Sequence, residues 1–191
     1  MSLRATPAQN EVQTIPQPAG FVSPKSVALL GVLTALTTAV TMAIAIPFPP
    51  TRGYFNLGEA VVFFTALSFG WKAGGICGGI GSAAADILLG YGVFAVITLI
   101  AKGTEGLVCG AISRAGNGRR WAMVLGIAAG GACMITGYFL GEWVYLGLGP
   151  AILELFTVNI AQAAIGGSIG LALYYAVSRV LKARGSNVGQ I

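Results

Sequence analysis

Six apolar stretches, each bounded by polar, proline or glycine residues, set the limits on what this chain of 191 residues can become. They cover about residues 25–46, 57–71, 73–90, 93–114, 120–142 and 150–181. A helix needs about 20 apolar residues to cross a hydrocarbon core roughly 30 Å thick, and four of the six meet that length. The second and third are short, with a boundary at Trp71-Lys72 that can shift by a few residues. Only 9% of residues are charged, against about 25% in soluble domains. The pattern predicts an all-α protein, a bundle of six transmembrane helices at residues 25–184. Residues 1–24 and 185–191 are read as polar tails, the first without the apolar core of a signal peptide.

Basic residues orient the bundle. Under six spans, Arg4, Lys25, Lys72, Arg114, Arg119, Arg120, Arg179, Lys182 and Arg184 fall on one side, and only Arg52 falls on the other. The positive-inside rule makes that crowded side cytoplasmic, with both termini on it. The net charge of +5 then reflects topology and gives no reason to expect nucleic-acid binding.

Within the fourth stretch, Lys102 and Glu105 stand one helical turn apart. A charge at membrane depth costs about 2.5–3.5 kcal/mol on insertion scales, so such residues usually face a partner or a polar cavity. Lys102 lies about nine residues, roughly 14 Å, below the outer end of its span. At the same outer level come Glu59, Glu154, Asn159 and Gln162, together with Tyr138, Glu142 and Trp143 from the fifth span. Asn159 and Gln162 are three apart and share a helix face. The first outer loop, Pro47 to Asn56, carries Arg52, Tyr54, Phe55 and Asn56 and suits a lid as well as a plain connector. Aromatic walls with a few placed hydrogen-bonding groups are what a small-molecule pocket needs; bonding between helices alone is the competing explanation. No chain of titratable groups runs from Lys102 towards the cytoplasm. The pair is therefore expected at a pocket floor, with Glu105 holding the lysine against ligand, Asn159 or Gln162.

Gly31, Ala35, Ala39 and Ala43 recur every four residues on the first helix, and Gly74, Gly75, Gly78, Gly79 and Gly81 crowd the third. Small-xxx-small ridges serve close helix packing, either inside the bundle or against another membrane subunit. Histidine is absent, as are a nucleotide-binding glycine loop and the metalloprotease and serine-hydrolase motifs. Cys77, Cys109 and Cys133 stand singly in apolar runs and read as small buried hydrophobes. An enzyme is not expected, nor a cofactor or metal.

Several runs carry a family resemblance. Tyr54-Phe55-Asn56-Leu57-Gly58-Glu59-Ala60-Val61-Val62 resembles the Asn-Leu-Gly-(Asp/Glu)-Ala segment of substrate-binding S components of energy-coupling factor (ECF) transporters, riboflavin-type branch. The likeness continues through Gly70-Trp71-Lys72-Ala73-Gly74, Gly81 to Tyr91, Lys102 to Leu107, and Asn159 to Gly167. The resemblance implies a prokaryotic plasma-membrane protein that captures a vitamin from outside, with riboflavin first, then pyridoxine or a thiamine precursor. It implies docking, through the small residues of the first helix, on a membrane T component driven by two cytoplasmic ATPases. It also puts the substrate in the outer half, between the later helices and under the first outer loop. A solitary oligomeric carrier, or a scaffold or channel subunit without a ligand, stays open as an alternative.

Overall fold

The computed structural model describes residues 23–183; the two expected tails lie almost wholly outside them. Six helical rods account for most of it: α1 Pro24–Ala43, α2 Gly58–Phe69, α3 Trp71–Leu88, α4 Ala95–Ala115, α5 Arg120–Leu146 and α6 Leu148–Ala183. Four of them, α1, α4, α5 and α6, are long and apolar enough to cross a membrane. The second stretch shrinks most against expectation. Its helix has 12 residues, a rise of about 18 Å, because the Asn-Leu-Gly segment ahead of it is drawn into side-chain bonding and Gly70 ends it. Nine of those 12 residues are buried, so α2 is a core rod wrapped by the others.

Local chemistry explains where the rods begin and turn. Ser23 caps α1 by accepting from the Ser26 N–H at 3.1 Å, with Pro24 at the first helical position. Gly70 (φ 85°) joins α2 to α3, and Gly147 (φ 95°) joins α5 to α6, each as a single residue. A left-handed backbone of this kind reverses the chain without a loop and suits glycine.

The first loop is not irregular, as the all-α reading has it, but a β-hairpin. β1 (Ile46–Phe48) pairs antiparallel with β2 (Gly53–Phe55) in the register Ile46↔Phe55, Pro47↔Tyr54 and Phe48↔Gly53. The connecting turn closes through the Thr51 N–H to Phe48 and the Arg52 N–H to Pro49, with Arg52 left-handed at φ 57°.

The glycines of α3 face inward. A Cβ on Gly78 would lie 2.7 Å from the Lys102 carbonyl oxygen, and one on Gly79 2.8 Å from that of Leu99. From the other side, Gly126 and Gly130 of α5 bring that helix against the Cys109 and Glu105 carbonyls, each 2.7 Å from an added Cβ. α4 is thus held between two glycine faces, and the α3 ridge serves packing within the bundle. The α1 ridge does not: Gly31, Ala35, Ala39 and Ala43 are exposed, while Leu33, Thr37 and Thr41 turn inward.

Polarity is reversed relative to a soluble fold. Val32, Ile100, Leu125, Val144 and Phe156 are exposed, whereas Glu59, Asp86, Lys102, Glu105, Glu142 and Glu154 are buried. Lipid, not water, suits such a surface. Cys77 and Cys109 are buried as expected; Cys133 is exposed on this apolar exterior instead. Inside, the half of the bundle away from the hairpin holds an apolar core of Phe63, Ala66, Leu67, Cys109 and Met123. The half beneath the hairpin holds the polar side chains.

Candidate substrate site

A narrow cavity sits under the hairpin, and every rod except α2 contributes to its wall. α1 gives Thr41; β2 and the residue after it give Gly53, Tyr54 and Asn56; α3 gives Ser82 and Asp86. Phe94, just before α4, is joined by Thr98 and Lys102; α5 gives Tyr138 and Glu142, and α6 gives Glu154, Asn159 and Gln162. Its free volume is about 30 Å³, room for one or two waters.

Lys102 is fully buried, and its ammonium forms an ion pair with Glu59 Oε1. Glu59, not Glu105, makes the direct contact, while Glu105 acts on the lysine through space. Glu59 reaches it from α2, a different rod, whereas Glu105 sits one turn farther along α4. Both Glu105 carboxyl oxygens are buried without a hydrogen-bond partner. Glu59 Oε1 also accepts from Gln162 Nε2 at 2.9 Å. Gln162 Oε1 in turn accepts from the Asn56 backbone N–H at 2.8 Å and from its Nδ2 at 3.2 Å. Asn56 Oδ1 accepts from the Gly58 N–H at 2.9 Å, closing the start of α2. One polar chain thus ties the hairpin exit to α2, α6 and α4. Gly166 makes room for it, since any side chain there would strike Glu59 Cβ.

On the opposite wall, Tyr54 donates to Asp86 Oδ1 at 2.5 Å and stacks, tilted, on Tyr91 with centroids 4.8 Å apart. Burial, and then the neighbouring Asp86 carboxylate, raise the Tyr54 hydroxyl pKa above its ordinary value. Tyr138 donates to Thr98 Oγ1 at 3.0 Å, and its ring lies 5.6 Å from the Lys102 ammonium.

α6 solves a geometric problem in this wall. Leu155–Asn159 form a π turn inside it. At about 100° per residue, Glu154 and Asn159 would stand about 140° apart on a plain α-helix. Absorbing one extra residue cuts this to about 40°, and brings Glu154 and Gln162 to within about 20°. Glu154, Asn159 and Gln162 therefore face the same cavity, and π turns of this kind often occur at functional sites.

Of the twelve residues expected at a substrate site, seven line the cavity: Tyr54, Asn56, Lys102, Tyr138, Glu142, Asn159 and Gln162. Glu59 stands behind them as the partner of two. Arg52 is exposed on the hairpin turn, Phe55 pairs with Ile46 at the hairpin base, and Trp143 is exposed against Phe139; with Glu105 they stay outside the lining.

A family model for the S component of an ECF-type riboflavin transporter matches residues 21–179. The chain belongs to that family. It is also 38% identical over 149 residues to an uncharacterized protein of Pyrococcus woesei, a match covering 76% of this chain and 99% of that one. Among solved structures, a bacterial ECF transporter S component superposes with a TM-score of 0.66 at 18% identity. That match covers 83% of this chain and 98% of the other, and it speaks for the fold. The protein is accordingly a membrane-embedded S component, a transporter subunit.

Thr41, Gly53, Ser82, Asp86, Phe94 and Thr98 of this S component line the cavity although sequence alone does not place them there, and Glu154, expected at the outer level, joins them. A spacing signal existed for several. Thr37 and Thr41, Ser82 and Asp86, and Thr98 and Lys102 are each four residues apart, so each pair falls on one helical face.

Proposed function

We propose that this S component captures a vitamin-like ring molecule in the cavity beneath the hairpin and passes it inward with a T component and two cytoplasmic ATPases. The observation that carries this reading is the cavity lining: buried hydrogen-bonding groups and tyrosine rings converge on it from five rods and a hairpin. The family's description makes riboflavin the first ligand to test. We take the six rods as spans with both termini in the cytoplasm. Lys25, Lys72, Arg114, Arg119, Arg120, Arg179 and Lys182 stand at helix ends away from the hairpin, which by the positive-inside rule turns the hairpin outward.

A space of about 30 Å³ is far smaller than any vitamin, so loading requires the hairpin to lift. The hairpin suits that motion: it is anchored by a few side-chain contacts, namely the Tyr54–Asp86 bond, the bonds of Asn56, and Thr51 and Gly53 against Glu154. The exposed ridge Gly31, Ala35, Ala39 and Ala43 is the face we assign to the T component, since small residues let a second helix come close. The chain binds and positions; ATP hydrolysis belongs to the partners.

Co-expression with a T component and two ATPases tests this reading. The expected result is a purified four-subunit complex that accumulates ligand in vesicles only with ATP. A chain that neither assembles nor retains any small molecule, as judged by mass spectrometry of its extract, would overturn it in favour of a scaffold or solitary carrier.

A further inference from the structure

Three carboxyl groups, Asp86, Glu142 and Glu154, line the cavity against one ammonium, that of Lys102. Lys102 is already engaged by Glu59, which lies outside the lining. Each lining acid leaves one buried oxygen without a hydrogen-bond partner: Asp86 Oδ2, Glu142 Oε2 and Glu154 Oε2. All three residues are more than nine-tenths buried. Orphaned acceptors of this kind are costly unless something supplies donors or positive charge. The other wall material is aromatic, from Tyr54, Phe94 and Tyr138, and ring faces attract cations through their quadrupoles.

We propose that the ligand of this S component is a small ring-bearing cation with N–H donors. This rests on the substrate-binding reading above and sharpens it. Charge-assisted bonds from such a ligand would satisfy the three orphaned oxygens while the rings cover its apolar face. A neutral flavin would bring hydrogen-bond donors but no positive charge to offset the carboxylates. A carboxylate ligand would add a fourth acid to a site with no free cation among its lining residues. Repulsion of that sort excludes a ligand class as effectively as attraction selects one.

A matched series on one ring tests the charge rule on purified full-length protein in detergent. Pyridoxamine, pyridoxine and 4-pyridoxic acid are titrated by calorimetry, beside thiamine as a permanent cation and riboflavin as a neutral flavin. The expected result is saturable binding of thiamine or pyridoxamine, at least tenfold tighter than pyridoxine and riboflavin, with none of 4-pyridoxic acid. E142Q and E154Q, which keep side-chain shape, should each weaken cation binding at least tenfold without loss of the folded helical signal. Riboflavin or 4-pyridoxic acid binding as tightly as the cations overturns the inference. So does a panel in which nothing binds while the complex with the T component still forms; the S-component reading then stands alone. Absence of both binding and assembly overturns the two together. Should either Glu variant fail to fold, the wild-type series still decides.

Discussion

The Lys102–Glu59 pair offers the sharpest test of how this bundle is held together. Breaking a buried pair by removing one partner costs about 3–5 kcal/mol, because the remaining charge is stranded, while replacing both is often far milder. Each single loss strands a charge that keeps a different remaining partner. In K102M, Glu59 Oε1 still accepts from Gln162 Nε2 at 2.9 Å, so the cost should sit near about 3 kcal/mol. In E59L, the ammonium keeps the Tyr138 ring 5.6 Å away and the attraction of the Glu105 carboxylate one turn along α4, and the cost should likewise fall within about 3–5 kcal/mol. The double variant should recover at least about 2 kcal/mol of the summed losses, the coupling expected of residues in direct contact. For a chain of this size, 1 kcal/mol corresponds to about 2–4 °C in Tm. Thermal unfolding in detergent, followed by helical circular dichroism, should show both single variants melting well below wild type and the double variant losing less than their sum. Single variants within about 2 °C of wild type, or strictly additive losses, would refute the account.

Further expectations rest on the same helix packing and on the hairpin. G106V forces a side chain into the Gly74 backbone across the α3–α4 contact and should destabilise by about 1–3 kcal/mol or more. G31A, with nothing within 4 Å of an added Cβ, should stay within about 0.5 kcal/mol of wild type by the same melts. A39W should leave ligand affinity and Tm unchanged yet abolish energised uptake; loss of affinity would instead assign the α1 ridge to internal packing. Y54F removes the hairpin's bond to Asp86, worth about 0.5–1.5 kcal/mol, so ligand release should quicken by about two- to tenfold in stopped-flow exchange. In ultraviolet titration Tyr54 should ionise above the ordinary tyrosine value, because its folded pKa is raised. Its contribution to stability is whole below the unfolded value of about 10 and is lost as pH rises above it.

Lys102 and its depth could be read from the chain because a charge inside a long apolar run has few explanations. The identity of its partner could not. Glu59 lies 43 residues earlier, and only the crossing of α2 with α4 brings it nearer than Glu105, the neighbour in sequence. The same holds for the cavity wall. Spans four to six announce their polar groups in sequence, whereas Thr41, Ser82 and Asp86 sit among alanines, glycines and threonines that look like packing. Asp86 becomes a site residue only when Tyr54 of the hairpin arrives above it. That hairpin escaped notice because its strands have three residues each, below the length at which alternation can be read, and prolines fill its turn. The two ridges divided for a similar reason: small residues on α1 and α3 look alike in sequence, but only those on α3 meet a neighbour within the described residues.

The π turn in α6 means that the ligand wall is written partly as an insertion. Composition alone would be unaltered in effect by losing one apolar residue from the stretch Leu155–Val158, and the resulting α-helix would be more regular. Yet Glu154 would rotate away from Asn159 and Gln162, and the cavity would lose its third acid without any acidic residue being mutated. Among relatives, gain or loss of a single residue at this point would therefore be a one-step route to a different cargo, leaving the bundle and its docking face untouched.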